Sequence, residues 1–153
     1  MDIVDRKILA ELQHDGRLTL TELADRVQLS ISRCQRRLRE LERTGVIRGY
    51  YAEVDAAAVG FGFEVLGFVT LRQGAQDTLA AFDEAVAAIP NVVQAQRLFG
   101  DPDYLLRVVT ADLDAYQRLY ESRLTKLPGL QRITSTIVMK KVVEMRPLPT
   151  SPH

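Results

Sequence analysis

The chain has 153 residues, enough for one ordinary domain or two small ones. With 46% apolar and 26% charged residues it is globular rather than disordered, and no apolar run or signal-peptide pattern suggests a membrane or secreted protein, so a soluble cytoplasmic protein is expected. Twenty basic and twenty acidic residues argue against general stickiness for polyanions, and the single cysteine, Cys34, excludes an intramolecular disulfide and a Cys-based zinc cluster.

Asp2 is placed to cap a first helix over residues 2–15, with Asp5 favoured by the positive end of the helix dipole. Ile8, Leu9 and Leu12 form its inner face and Gly16 stops it. Thr19-Leu20-Thr21-Glu22 is a capping box that opens a second helix, Leu20 to Val27, with Leu23 and Val27 inward and Ala24 small where two helices cross. Gln28-Leu29 makes a turn. Ser30 caps a third helix that runs to Thr44 and is closed by Gly45. Its apolar stripe is Ile31, Cys34, Leu38 and Leu41, so Cys34 reads as a small core hydrophobe rather than a redox switch.

The opposite face of that third helix is cationic. Both 1–60 and 61–153 carry ten basic and ten acidic residues, yet within 29–48 six arginines meet only Glu40 and Glu42. The positive charge is local. Val46 to Val54 then reads as a strand or small hairpin. Three helices and a strand pair make a winged helix-turn-helix over residues 1–54, and a short Arg-rich third helix is the form of a major-groove reader.

Residues 55–62 form a linker loosened by Gly60 and Gly62. Phe63 to Arg72 is strand-like. Leu79, Phe82, Val86 and Ile89 mark an amphipathic helix ended by Pro90-Asn91. Val92 to Phe99 is a strand, Gly100-Asp101-Pro102-Asp103 a turn, and Tyr104 to Thr110 a strand. Asp112 caps a helix whose inner face is Leu113, Tyr116, Tyr120, Leu124 and Leu127, broken by Pro128-Gly129. Leu130 to Val143 is a long final strand. The order βαββαβ is the ferredoxin-like arrangement, here over residues 63–145, with both helices on one face of a four-stranded sheet. The fold class is α+β. The tail 146–153, with Pro147, Pro149 and Pro152, is expected to be loose. In Phe63–Arg72 both alternating sets are large: Phe63, Val65, Val69 and Leu71 on one side, Leu66 and Phe68 on the other. Tyr104–Thr110 repeats the pattern. One set packs on the helices, and the other calls for a partner, so a homodimer built through the sheets is expected.

With these elements in this order, the chain resembles the Lrp/AsnC (feast/famine) transcriptional regulators. The resemblance spans residues 2–143. At the front it rests on Asp2-x-x-Asp5-x-x-Ile8-Leu9, Leu12-x-x-Asp15-Gly16-Arg17, Glu22-Leu23-Ala24, Leu29-Ser30-x-Ser32, Arg37, Leu41-Glu42 and Gly45-Val46-Ile47-x-Gly49-Tyr50. At the back it rests on Gly100-x-x-Asp103-Tyr104-Leu105-Leu106-x-Val108, Leu127-Pro128-Gly129 and Thr134-Ser135-Thr136. It implies a second domain that dimerises through its sheet, assembles further into tetramers or octamers, and binds an amino acid between dimers near the Gly-x-x-Asp turn. Two departures stand out. Gln28 occupies a turn position where Gly is common, which demands an unusual backbone or a different turn. Only Met1 precedes Asp2, so minor-groove contacts from an N-terminal arm are not expected.

Groove readers need donors at base edges and positive charge at phosphates of double-stranded DNA. Ser32, Arg33 and Arg36 are the candidates for base edges. Ser30, Gln35, Arg37, Arg39 and Arg48 are the candidates for phosphates. The alternative is that Arg36, Arg37 and Arg39 solvate the helix and pair with Glu40 and Glu42. For an amino-acid effector, Gly100 permits close backbone approach, Asp101 and Asp103 supply negative charge, Thr134, Ser135 and Thr136 supply hydroxyls, and Tyr104 lines a wall or packs at an interface. Taken alone, Gly-Asp-Pro-Asp is a hairpin turn; the effector role comes from the resemblance.

No cofactor or metal is expected, and an enzyme is not: His14 lies in the first helix and His153 at the end, with no nucleophile–base or paired-carboxylate constellation. That speaks against the haem-pathway decarboxylases that share this architecture, which bind a tetrapyrrole and use histidines in the sheet domain. An architectural DNA-wrapping protein with little effector control is the other alternative.

Overall fold

In the computed structural model, residues 1–72 and 76–150 are described. The chain divides into two units: Met1–Glu53 together with the segment from Val142 onward, and Val54–Lys141. The first unit thus gains the tail, and the expected linker belongs with the second.

Three helices build the first unit: α1 (Ile3–His14), α2 (Leu20–Arg26) and α3 (Ile31–Arg43). Two of them open on reciprocal capping boxes, Asp2 with Asp5 and Thr19 with Glu22, which satisfy backbone N–H groups that the first helical turn leaves without partners. Ser30 sits at the α3 N-cap, but its hydroxyl makes no bond to the helix backbone; it lies 3.5 Å from the Ser32 hydroxyl instead. Gln28 adopts φ +57°, so it takes the left-handed backbone that its position demands, and Gly45 at φ +73° follows the α3 C-cap. Ile8, Leu23, Ala24, Val27, Cys34 and Leu41 are buried together. Ile31 is not part of the stripe: it is 49% exposed, and burial on α3 starts one turn later at Cys34.

The strand expected over Val46–Val54 does not form. A strand requires a neighbour, and none of the described residues pairs with this segment. It is held to α3 by the Ile47 N–H donating to the Leu41 carbonyl (3.0 Å) and the Tyr50 hydroxyl donating to Glu42 (2.9 Å). The tail is bonded to α1 at Leu148 and Thr150. The Gln13 amide, on α1, accepts from the Leu148 N–H (2.7 Å) and donates to the Leu148 carbonyl (3.2 Å) and the Thr150 hydroxyl (3.1 Å). Pro152 and His153 lie outside the described residues.

The second unit opens with residues 55–62 wound into a turn, where the Asp55 carboxylate accepts from the Ala57 and Ala58 N–H groups. Then follow β1 (Phe63–Leu71), α4 (Gln76–Ala87), β2 (Val92–Arg97), β3 (Tyr104–Thr110), α5 (Leu113–Ser122), a 3-10 turn (Leu124–Lys126) and β4 (Leu130–Ile137). The sheet order is β2-β3-β1-β4, antiparallel throughout, which is the ferredoxin-like arrangement. β4 ends at Ile137 rather than Val143, because β1 begins at Phe63. Beyond the Val65–Ile137 pair one further bond forms, from the Val138 N–H to the Glu64 carbonyl (3.0 Å).

Alternation sorts the sheet into two faces. Val65, Val69, Leu106 and Val108 pack against Phe82 and Val86 of α4 and Tyr116 of α5. Leu113, the first residue of α5, is 55% exposed and does not join that core. The other face carries Leu66, Phe68 and Leu105, all half-buried, with Val109. Among them the Glu64 carboxylate accepts two bonds from Arg107 (2.8 and 2.9 Å) and pairs with Lys141 (2.9 Å). No helix among the described residues is long and apolar enough to cross a membrane.

Candidate nucleic-acid interface and effector site

At about 100° per residue, Ser32, Arg36, Arg39 and Arg43 fall on a stripe about 60° wide, opposite Cys34, Leu38 and Leu41. Arg33 and Glu40 flank it on one side and half-buried Gln35 on the other. Arg33, Arg36, Arg39 and Arg48 are exposed, and none of them bonds a carboxylate of the described residues. Ser30 and Ser32 are exposed beside them.

Two other arginines of α3 are committed. Arg43 makes a two-bond pair with Glu40 (2.9 and 2.6 Å), which holds the Glu40 carboxyl below its ordinary range. Arg37 donates from one nitrogen to Asp2 (2.7 Å) and Asp5 (2.8 Å), and its side chain is only 27% exposed. Of the expected phosphate contacts it is the one that the structure turns inward. The Asp2 carboxyl is lowered first by the Asp5 backbone N–H and then by Arg37. Cys34 is buried, and burial raises its thiol, which disfavours the reactive thiolate. Tyr50 went unmarked as an anchor: burial and then the Glu42 carboxylate push it up from 10.0 to about 12.

The residues expected around an effector are not brought together within one chain. Gly100 (φ +136°) has open space where a side chain would stand, and Asp101 is exposed, 3.4 Å from the Thr70 hydroxyl. Asp103 is used by the fold: its carboxylate accepts from the Leu71 N–H (2.7 Å) and its own N–H donates to the Val69 carbonyl (2.8 Å). Tyr104 is buried against Phe82, with ring centroids 4.5 Å apart. Its hydroxyl donates to Asp83 (2.7 Å) and accepts from Arg97 (2.8 Å). The three hydroxyls of β4 divide between the faces. Ser135 shares the Tyr116 side, 2.6 Å from its hydroxyl, whereas Thr134 and Thr136 pair with Phe68 and Leu66 on the other. Period-two alternation was the signal that separates them.

One concavity was not foreseen. A cleft of about 430 Å³ lies between α4 and β2, with Val86, Val92 and Ala95 on its walls and Asp83, Arg97 and Tyr104 at one end. The Arg97 guanidinium bonds Asp83 as well as Tyr104, so a short charged network spans this end.

Comparison with known proteins matches both units. Residues 1–48 match the model of a winged helix-turn-helix DNA-binding domain, and residues 64–148 that of the Lrp/AsnC ligand-binding domain. The chain is 39% identical over 143 residues to the Bkd operon transcriptional regulator of Pseudomonas aeruginosa, covering 94% of each. It is 38% identical over 142 residues to the leucine-responsive regulatory protein of Escherichia coli K12, covering 93% of this chain and 87% of the other. A Neisseria meningitidis transcriptional regulator solved with L-Met superposes at a TM-score of 0.92, with 36% identity over 97% of this chain and 96% of that one. An AsnC family regulator from Agrobacterium tumefaciens gives 0.91, with 36% identity over 97% of each chain. The two domains in this order, matched along nearly the whole length, place the chain in the Lrp/AsnC family of DNA-binding transcriptional regulators.

Proposed function

We propose that this regulator reads double-stranded DNA in the cytoplasm as a homodimer, with α3 in the major groove, and that an amino acid bound between dimers retunes its assembly. The observation that carries the reading is the stripe on α3. Arg33, Arg36 and Arg39 are exposed and bond no carboxylate of the described residues, whereas Arg37 and Arg43 on the same helix do. Ser32, Arg33 and Arg36 sit in the first half of the helix, where base edges are met; one of the two arginines is spent there, and the other reaches phosphates together with Arg39 and Arg48.

The half-buried Leu66, Phe68 and Leu105 support a dimer through the sheet, since a face this apolar gains by being covered. Further assembly to a tetramer or octamer would bring the Gly100 turn of one dimer near another. The Neisseria relative was solved with L-Met, which supports an amino-acid effector here. The effector acts by binding one assembly state better than another.

The test is footprinting of genomic fragments captured by the protein, with and without each amino acid, on the parent and on Arg33→Ala with Arg36→Ala. Two protected half-sites about one helical turn apart are expected, lost in the double variant. A long, phased footprint unmoved by any amino acid would support wrapping without effector control. Intact specific binding by the folded double variant would remove α3 as the reader.

A further inference from the structure

We propose that Arg37 is a positioning residue for DNA reading: through Asp2 and Asp5 it sets the rotation of α3 about its own axis, and it makes no phosphate contact itself. The inference rests on α3 being the reading helix.

The four carboxylate oxygens at the start of α1 are shared out without overlap. Asp2 Oδ1 accepts from the Asp5 N–H (2.9 Å), and Asp5 Oδ2 accepts from the Asp2 N–H (3.0 Å). The remaining oxygens, Asp2 Oδ2 and Asp5 Oδ1, both take the same Arg37 nitrogen (2.7 and 2.8 Å). One half of each carboxylate builds the cap and the other half grips α3. The guanidinium is opposed by two carboxylates, which raise its proton affinity, and it is mostly shielded, so its charge is already matched before DNA arrives. A cation in that state releases few counterions from DNA.

Rotation of α3 matters because its base-edge candidates are long. Turning the helix by about 20° moves an arginine tip by roughly 2–3 Å, the whole length of a hydrogen bond. Cys34, Leu38 and Leu41 form an apolar seam, which is non-directional and tolerates such slippage. The directional bonds to Asp2 and Asp5 do not. Arg37 lies at the edge of that seam, about 100° from Arg36, where it can be gripped from α1 while Arg36 faces outward.

The test compares the full-length parent with Arg37→Met, Asp5→Asn, Arg37→Lys and Arg39→Ala. Affinity is measured for a captured target duplex and for a scrambled duplex, across a salt series, with thermal melts confirming folding. Arg37→Met and Asp5→Asn remove opposite charges, yet both are expected to weaken target binding by about tenfold, the order of one disturbed base contact, and to shrink the target-to-scrambled ratio. Both should keep the parent salt slope, whereas Arg39→Ala lowers it. Arg37→Lys retains the charge and can bond one carboxylate, so it should recover part of the ratio; it also carries the test if Arg37→Met fails to fold, since it should still fall severalfold below the parent at unchanged slope. A lowered slope in Arg37→Met would make Arg37 a phosphate contact. Tighter binding of both duplexes by Asp5→Asn would make Asp5 a mere repelling charge. A parent-like ratio in Asp5→Asn and Arg37→Lys together would leave the triad structural only. Any of the three overturns the proposal. If Arg39→Ala and the footprints fail instead, it is the reading helix, not Arg37, that is misassigned.

Discussion

Salt dependence gives the sharpest quantitative handle on the α3 face. Arg33, Arg36, Arg39 and Arg48 are exposed and bond no carboxylate of the described residues, while Arg37 and Arg43 are engaged. With one of Arg33 and Arg36 spent at a base edge, three cations per protomer remain for phosphates, or about six in a dimer, which sets a slope of about −5.4 in log affinity against log salt. Between roughly 50 and 200 mM salt the dimer should lose about two thousandfold in affinity. Arg39→Ala removes one contact from each protomer, so the slope should flatten to about −3.6 and the loss shrink to about 150-fold. Fluorescence anisotropy on a labelled target duplex, with sedimentation confirming the dimer, reads both slopes. An unchanged slope in Arg39→Ala, with the protein folded and dimeric, would refute the assignment of this face to phosphates.

Four further outcomes can be measured on the same protein. Gln28→Gly relieves a left-handed backbone at φ +57° and should raise stability by up to about 1 kcal/mol in urea unfolding, glycine's own entropy offsetting the rest; a loss would mean that the Gln28 side chain contributes more than its backbone costs. Tyr50 has its ionisation raised from 10.0 to about 12 by burial and by Glu42, so the folded state keeps the proton longer, and stability should hold below pH 10 and fall between pH 10 and about 12. Tyr50→Phe should flatten that alkaline decline in pH-dependent melts. Gln13→Ala removes the side chain that bonds Leu148 and Thr150, and the glutamate-specific endoproteinase Glu-C should then cut after Glu144 severalfold faster, as followed by intact-mass spectrometry. Leu66→Glu places a charge on the uncovered sheet face next to Phe68 and Leu105, and sedimentation should show monomers for the variant and the proposed dimer for the parent.

Local chemistry was legible and pairing at a distance was not. The Asp2 cap, the Thr19 capping box, the Gly45 stop and the βαββαβ succession all depend on residues a few positions apart, and each stands where the pattern puts it. Gln28 was legible as a backbone oddity because its turn needs a left-handed residue whatever the side chain. Strand ends depend on the neighbour: β4 stops near the start of β1, and Val46–Val54 stays irregular for want of a partner. Helix-first residues were misjudged twice. Ile31 and Leu113 fit the apolar spacing of their helices, but packing begins one turn further in. Arg37 could not be sorted from its neighbours by sequence, since its carboxylates lie 35 and 32 positions away. The three β4 hydroxyls are a different case: Thr134, Ser135 and Thr136 are adjacent in the chain, and adjacency in a strand means opposite faces, so Ser135 does not share a face with the other two.

A neutral chain with a small cationic patch leaves assembly as the strongest control over DNA binding. A single protomer with three phosphate contacts has a salt slope of only about −2.7, and pairing two protomers doubles that exponent. Because residues 1–60 and 61–153 each carry equal charges of the two signs, no diffuse attraction adds to those contacts. Affinity therefore rests on how many reading helices act at once and on how each one is turned. On the reading proposed above, the first would depend on the sheet face of Leu66, Phe68 and Leu105, and the second on the grip of Asp2 and Asp5 on Arg37. A small molecule that shifts assembly by a single step changes the number of simultaneous contacts, so it can alter occupancy by orders of magnitude without touching α3.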